Sequence, residues 1–225
     1  AYIAVTNGNF NLNASDLQII GGNAAGGNNY AYIQVQTGNF TYDVEGVNKG
    51  RLLLQGGTNN SGNNARINVQ NGTATTTIKL HEVGNTGDIS LTCPGSATAY
   101  ISAPTPTIHC DNLSLTAGSS SSAYIHAITG TIDRDTDNNI TLTGGVGNAV
   151  ARLYPTNATQ AIKINALGNL TLTAGTGAIG ELPSARIDGF NDADINVGGS
   201  ITLTASPAAD VSIGSAYLLF ANLAA

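Results

Sequence analysis

The chain has 225 residues, only 10% of them charged, with 28 Gly, no Trp and no Met. Its core must therefore come from Ile, Leu, Val and Ala, a composition that suits many short strands and tight corners rather than helices. A net charge of −6 with eight scattered Lys and Arg excludes a phosphate-binding face for nucleic acid, and no apolar run is long enough to cross a membrane as a helix.

The first predicted strand is Ala1-Tyr-Ile-Ala-Val. The second centres on Phe10, and the third is Asp16-Leu-Gln-Ile. Gly21 to Asn29 then forms a loop, and the pattern begins again at Ala31. The opening phrase, Ala-[Tyr/Arg]-[Ile/Leu], recurs at Ala1, Ala31, Ala65, Ala99, Ala123, Ala151, Ala185 and Ala216. The third landmark recurs as Arg51-Leu-Leu-Leu, Asp88-Ile-Ser-Leu, Asn112-Leu-Ser-Leu, Asn139-Ile-Thr-Leu, Asn169-Leu-Thr-Leu and Ser200-Ile-Thr-Leu. Between them lies a vaguer strand centred on Phe10, Phe40, Ile78, Ile108, Ile132, Ile162 and Ile195.

Three period-2 strands in each unit cannot bury their apolar face alone, whereas stacked units can. The expected fold is all-β: a right-handed, single-stranded parallel β-helix of about seven coils, each with three short strands. Residues 1–225 form one such domain. A chain that starts in mid-pattern, with no Met and no signal-like segment, reads as a processed form or a piece of a longer repeat protein. A sandwich or an up-and-down barrel does not require residue types to return in fixed columns.

In register, the inward positions read Leu17, Leu52, Ile89, Leu113, Ile140, Leu170, Ile201, then Ile19, Leu54, Leu91, Leu115, Leu142, Leu172, Leu203. A small column follows: Gly21, Gly56, Cys93, Ala117, Gly144, Ala174, Ala205. Outward, Thr92, Thr116, Thr143, Thr173 and Thr204 form a β-branched ladder.

The phrases Gly168-Asn-Leu-Thr-Leu-Thr-Ala-Gly175, Asp88-Ile-Ser-Leu-Thr92 and Gly199-Ser-Ile-Thr-Leu-Thr-Ala205 resemble repeats of filamentous-haemagglutinin-like exoproteins. They are similar in style to autotransporter passengers. The resemblance implies a β-helix in a secreted or surface-displayed bacterial protein with an adhesive role, and it assigns no individual residue.

The second residue of the opening phrase gives an outward column: Tyr2, Tyr32, Arg66, Tyr100, Tyr124, Arg152, Arg186 and Tyr217. It holds five of the eight Tyr and three of the five Arg. Such a column is expected to stack as a register-holding ladder, and it is also the candidate stripe for a surface glycan or a partner protein. Asp133-Arg-Asp-Thr-Asp-Asn-Asn139 resembles the start of a calcium loop, so Asp133, Asp135 and Asp137 are candidate calcium ligands. The loop lacks Gly at the sixth position (Asn138) and an acid at the twelfth (Gly144). Asp188, Asp192 and Asp194 form a second acidic cluster, the basis of an alternative polysaccharide-binding or polysaccharide-cleaving function.

Cys93 and Cys110 fall at inward positions, Cys110 near Leu12, Tyr42 and Leu80. A disulfide between them is compatible with export and is not implied by register. His81, His109 and His126 show no transition-metal spacing, and no nucleophile elbow or phosphate loop is present. The expectation is a non-enzymatic shaft whose partner is a host or neighbouring-cell surface glycan or protein, with no cofactor unless calcium. Uncapped ends add end-to-end association, or a self-assembling filament, as a further expectation.

Overall fold

The protein was described from a computed structural model, which defines residues 1–24, 29–44, 49–59, 62–80, 86–127, 132–136, 138–155, 161–177, 183–189, 192–205 and 210–213. Every regular element among them is a β-strand, and no helix is long and apolar enough to cross a membrane.

The strands form three sheets. The first sheet contains Tyr2–Val5, Ala31–Val35, Ala65–Val69, Thr98–Ala103, Ser122–Ala127, Val150–Pro155, Ser184–Ile187 and Asp210–Ile213. The second contains Phe10–Leu12, Phe40–Asp43, Thr75–Lys79, Thr105–Cys110, Ile132–Thr136, Ala161–Ala166 and Asp192–Val197. The third contains Asp16–Ile20, Lys49–Gln55, Thr86–Cys93, Asn112–Ala117, Ile140–Thr143, Leu170–Thr173 and Ile201–Thr204. Each strand pairs in parallel with the strand three places along the chain, and no sheet closes on itself. This all-β parallel arrangement is consistent with a parallel β-solenoid.

The third sheet reproduces the columns read from the sequence. Leu115, Leu142, Leu172 and Leu203 are successive register partners, as are Leu113, Ile140, Leu170 and Ile201. The Leu and Ile of the middle strands are buried and belong to one continuous core. Alternation puts their neighbours Thr116, Thr143, Thr173 and Thr204 on the opposite face, in register.

Every expected strand centre lies in a strand of the second sheet, and register divides these centres between two columns. One runs Phe10, Phe40, Thr76, Pro106 and, two strands on, Ile162 and Ala193, and the other runs Leu12, Tyr42, Ile78, Ile108 and, two strands on, Ile164 and Ile195. The expected list mixed members of both. A shift of two residues keeps every side chain on the same face, so alternation alone cannot distinguish the two registers. Tyr42 is fully buried, and its hydroxyl donates toward the carbonyl oxygens of Ala14 (2.8 Å) and Arg51 (3.0 Å).

Cys110 lies one column further on, in register with Thr136 and then Ala166, and beside Leu80 rather than Leu12 or Tyr42. Both cysteines are buried, and no disulfide joins them. Burial pushes the Cys93 thiol up to about 12, so it stays protonated, with the carbonyl of Ser122 at 3.0 Å from its sulfur.

Asparagines hold one corner. Asn139 N–H donates to Asn112 Oδ1 (3.2 Å), Asn169 N–H to Asn139 Oδ1 (2.9 Å), and Ser200 N–H to Asn169 Oδ1 (2.8 Å). Each amide thus satisfies a main-chain donor where the chain turns into the next strand. The sequence showed these residues only as the first letter of a repeated phrase.

Candidate functional site

The outer face of the first sheet carries the Tyr/Arg column. Tyr2, Tyr32, Arg66, Tyr100, Tyr124, Arg152 and Arg186 occupy one register position on seven successive strands. Their flanking Ala and Ile positions from the second strand onward are buried, which points the column away from the core. The eighth position differs from expectation: Ser212 stands opposite Arg186, because Asp210–Ile213 is the strand that pairs there. Tyr217 lies outside the described residues.

From Tyr2 to Tyr124 the column is an unbroken run of contacts. The Tyr2 and Tyr32 rings stack at 5.1 Å, and the Arg66 guanidinium lies 4.6 Å from the Tyr32 ring centre. Arg66 also donates to the Tyr100 hydroxyl at 3.0 Å, and Tyr100 stacks on Tyr124 at 4.9 Å. These are the face-to-face and cation–π contacts expected between side chains about one strand spacing apart.

Two residues along each strand lies a second outward column, which sequence reasoning missed. It runs Ala4, Gln34, Asn68, Ser102, His126, Tyr154. Its residue types vary, so no repeated letter marks it. Ser102 Oγ lies 3.1 Å from His126 Nε2, and the Tyr154 hydroxyl lies 3.5 Å from His126 Nδ1. The His126 ring also packs on Tyr124 (5.6 Å) and Tyr154 (5.2 Å). Ser102 is only 5% exposed, so this chain of polar groups fixes side chains and offers no reachable nucleophile.

Arg152 does not lie on Tyr124, as simple stacking predicted. Its guanidinium sits 3.9 Å from the Tyr154 ring centre, and its Nε donates to Asp188 Oδ2. Arg186, its register neighbour, donates through Nη2 to Asp188 Oδ1 at 3.2 Å. One buried carboxylate therefore bridges two adjacent guanidinium groups. The acidic cluster read from the sequence is thereby divided. Asp188 directly follows the first-sheet strand Ser184–Ile187, whereas Asp192 and Asp194 lie on the second sheet, in register with Ala161 and Lys163.

Of the calcium candidates, Asp133 and Asp135 lie on Ile132–Thr136, in register with Thr107 and His109, and Asp137 lies outside the described residues. Among the described residues, no three His, Cys, Asp or Glu side chains converge as a metal site.

Burial, and secondarily the Arg152 charge, lowers the His126 pKa from 6.5 to about 4, so the ring is neutral at pH 7. Burial likewise raises the phenols of Tyr124 and Tyr154. For a histidine held neutral, the unfolded chain binds the proton more readily than the folded one. Its contribution to stability is complete above pH 6.5 and is lost as the pH falls from 6.5 toward 4. Allowing for partial solvent access, the loss is about 2 kcal/mol. Urea unfolding at pH 7, 5.5 and 4.5 should show it, and His126→Gln should flatten that part of the profile.

Compared with protein-family models, with curated proteins and with solved structures, the chain matches none.

Proposed function

We propose that this chain is part of the shaft of a secreted or surface-displayed bacterial protein. It is a right-handed parallel β-helix of about seven coils with three strands each, and it catalyses no reaction. Its work is reach and attachment: the stacked sheets make a stiff rod, and the Tyr/Arg stripe with its flanking loops meets a surface glycan or protein through many weak contacts. The observation that carries this reading is the seven-strand register column from Tyr2 to Arg186, whose rings and guanidinium groups pack on one another from Tyr2 to Tyr124. Such a column holds register and leaves ring edges facing outward. The right hand follows the strong preference of parallel crossovers.

The test is retention of the fluorescently labelled chain on bacterial and epithelial cells, alongside its melting temperature. Tyr100→Ala removes two contacts and is expected to lower the melting temperature by about 3 °C, the effect of roughly 1 kcal/mol in a chain of this size. Cell retention should fall in the same variant and return in Tyr100→Phe, which keeps the ring. Absence of retention on any cell surface would refute the attachment role. So would release of unsaturated or reducing sugar ends from polysaccharides with or without calcium.

A further inference from the structure

The outer face of the third sheet presents a two-dimensional array of hydroxyl groups. Ser90, Ser114, Thr141, Thr171 and Thr202 form one column on five successive strands, and Thr92, Thr116, Thr143, Thr173 and Thr204 form the next. In the last three strands both positions are Thr, separated by the buried or inward Leu142, Leu172 and Leu203. Neighbours within a column are about 4.8 Å apart, and the two columns about 6.6 Å apart, from strand pairing and strand rise.

Three properties set this face apart. First, the two columns are neutral: neither contains an ionisable side chain, and the Asp88 carboxylate beside Ser90 at the edge of the array accepts from Asn112 Nδ2. Second, it is rigid. Thr is stiff at its first side-chain torsion, so each methyl and hydroxyl repeats the placement of the one before it. The asparagine ladder of Asn112, Asn139 and Asn169 fixes the adjoining corner. Third, it is open: the ten residues are partly or fully exposed, Thr202 and Thr204 most of all.

A charged group orients nearby water about itself, whereas a neutral lattice of alternating methyl and hydroxyl groups does not. The methyls cage first-layer water and the hydroxyls bond to it, with little ordering cost because the array is already fixed. The first repeat is close to the corresponding spacing of water molecules on the prism faces of hexagonal ice, and the second lies about a tenth below its counterpart. From this match of spacing and neutrality, we infer that the Thr face, centred on Thr141, Thr143, Thr171 and Thr173, binds the surface of ice crystals. The inference is independent of the attachment role, which uses the first sheet.

The test uses the purified full chain in slowly growing ice, measuring partition into the solid and the coarsening of polycrystalline ice. The wild type is expected to enter the ice phase and to slow coarsening. Thr171→Tyr, which breaks the array at its centre, should reduce partition about tenfold. Thr107→Tyr, on the exposed outer face of the second sheet, should leave it unchanged. Should Thr171→Tyr fail to fold, Thr143→Ser, which keeps the hydroxyl and removes only the methyl, should still weaken partition. The inference is overturned if the folded wild type is excluded from ice like an ordinary protein, or if Thr107→Tyr loses as much as Thr171→Tyr. It is also overturned if the face retains the chain on crystalline cellulose and not on ice.

Discussion

Asp188→Asn is expected to lower stability by about 3 kcal/mol, because it removes the carboxylate that bridges two adjacent guanidinium groups. Arg152 and Arg186 are register partners, so their side chains start about 4.8 Å apart. The Asp188 side chain is 4% exposed, and each of its oxygens accepts from a different arginine. Its own N–H donates to Leu153 O at 2.9 Å, which anchors the carboxylate to the neighbouring strand. Asn preserves the shape and one acceptor but leaves two like charges facing each other. Their partial exposure, 29% and 36%, keeps the penalty below that of a fully buried pair. In a chain of this length the change corresponds to a drop of about 6–12 °C in melting temperature. The double variant Asp188→Asn with Arg186→Leu should recover most of the loss, because it removes the repulsion along with its remedy. A single variant that melts with the wild type, or a double variant that melts lower still, would show that Asp188 is not the bridging group.

This site illustrates what the sequence could and could not disclose. The third sheet was legible because one phrase, Leu-Thr-Leu-Thr and its variants, returns with the same letters at the same phase, and the structure pairs Leu115, Leu142 and Leu172 accordingly. The Tyr/Arg column was legible for the same reason up to Arg186. Beyond Arg186 the register partner is Ser212 on Asp210–Ile213, and Tyr217 lies outside the described residues. The second sheet lacks a repeated phrase. There Thr76 and Pro106 hold buried register positions that a search for Ile cannot find. The Asp188 contact was hidden for another reason. Asp188 and Arg152 are 36 residues apart, and only the pairing of successive strands brings them together, whereas spacing along the chain grouped Asp188 with Asp192 and Asp194. Local patterns thus revealed which face a residue occupies, and register decided what it touches.

The tightest constraint lies in the backbone at the corner after the third sheet, where Gly145→Ala is expected to cost about 3 kcal/mol or more. A Cβ on Gly145 would lie 1.7 Å from Gly118 O and 2.4 Å from Ala117 O. Both are main-chain atoms, so no side chain can rotate aside. Gly118 O is moreover the acceptor for the Val146 N–H at 2.8 Å, so moving it breaks the bond that carries the chain into the next strand. The same approach repeats one layer on, where a Cβ on Gly175 would meet Gly145 O at 1.7 Å. Relief of one contact therefore tightens the other. Stability in stacked sheets is a sum of local and neighbour terms, so the damage should spread from the affected corner rather than unfold all strands alike. Hydrogen exchange should accelerate first in Asn112–Ala117, Ile140–Thr143 and Leu170–Thr173, with Lys49–Gln55 retaining its protection. Thr116→Ala, a change on the open face of the neighbouring strand, should shift stability by no more than about 0.5 kcal/mol. Equal protection in wild type and Gly145→Ala would mean that the strands do not stack as closely as these glycines require.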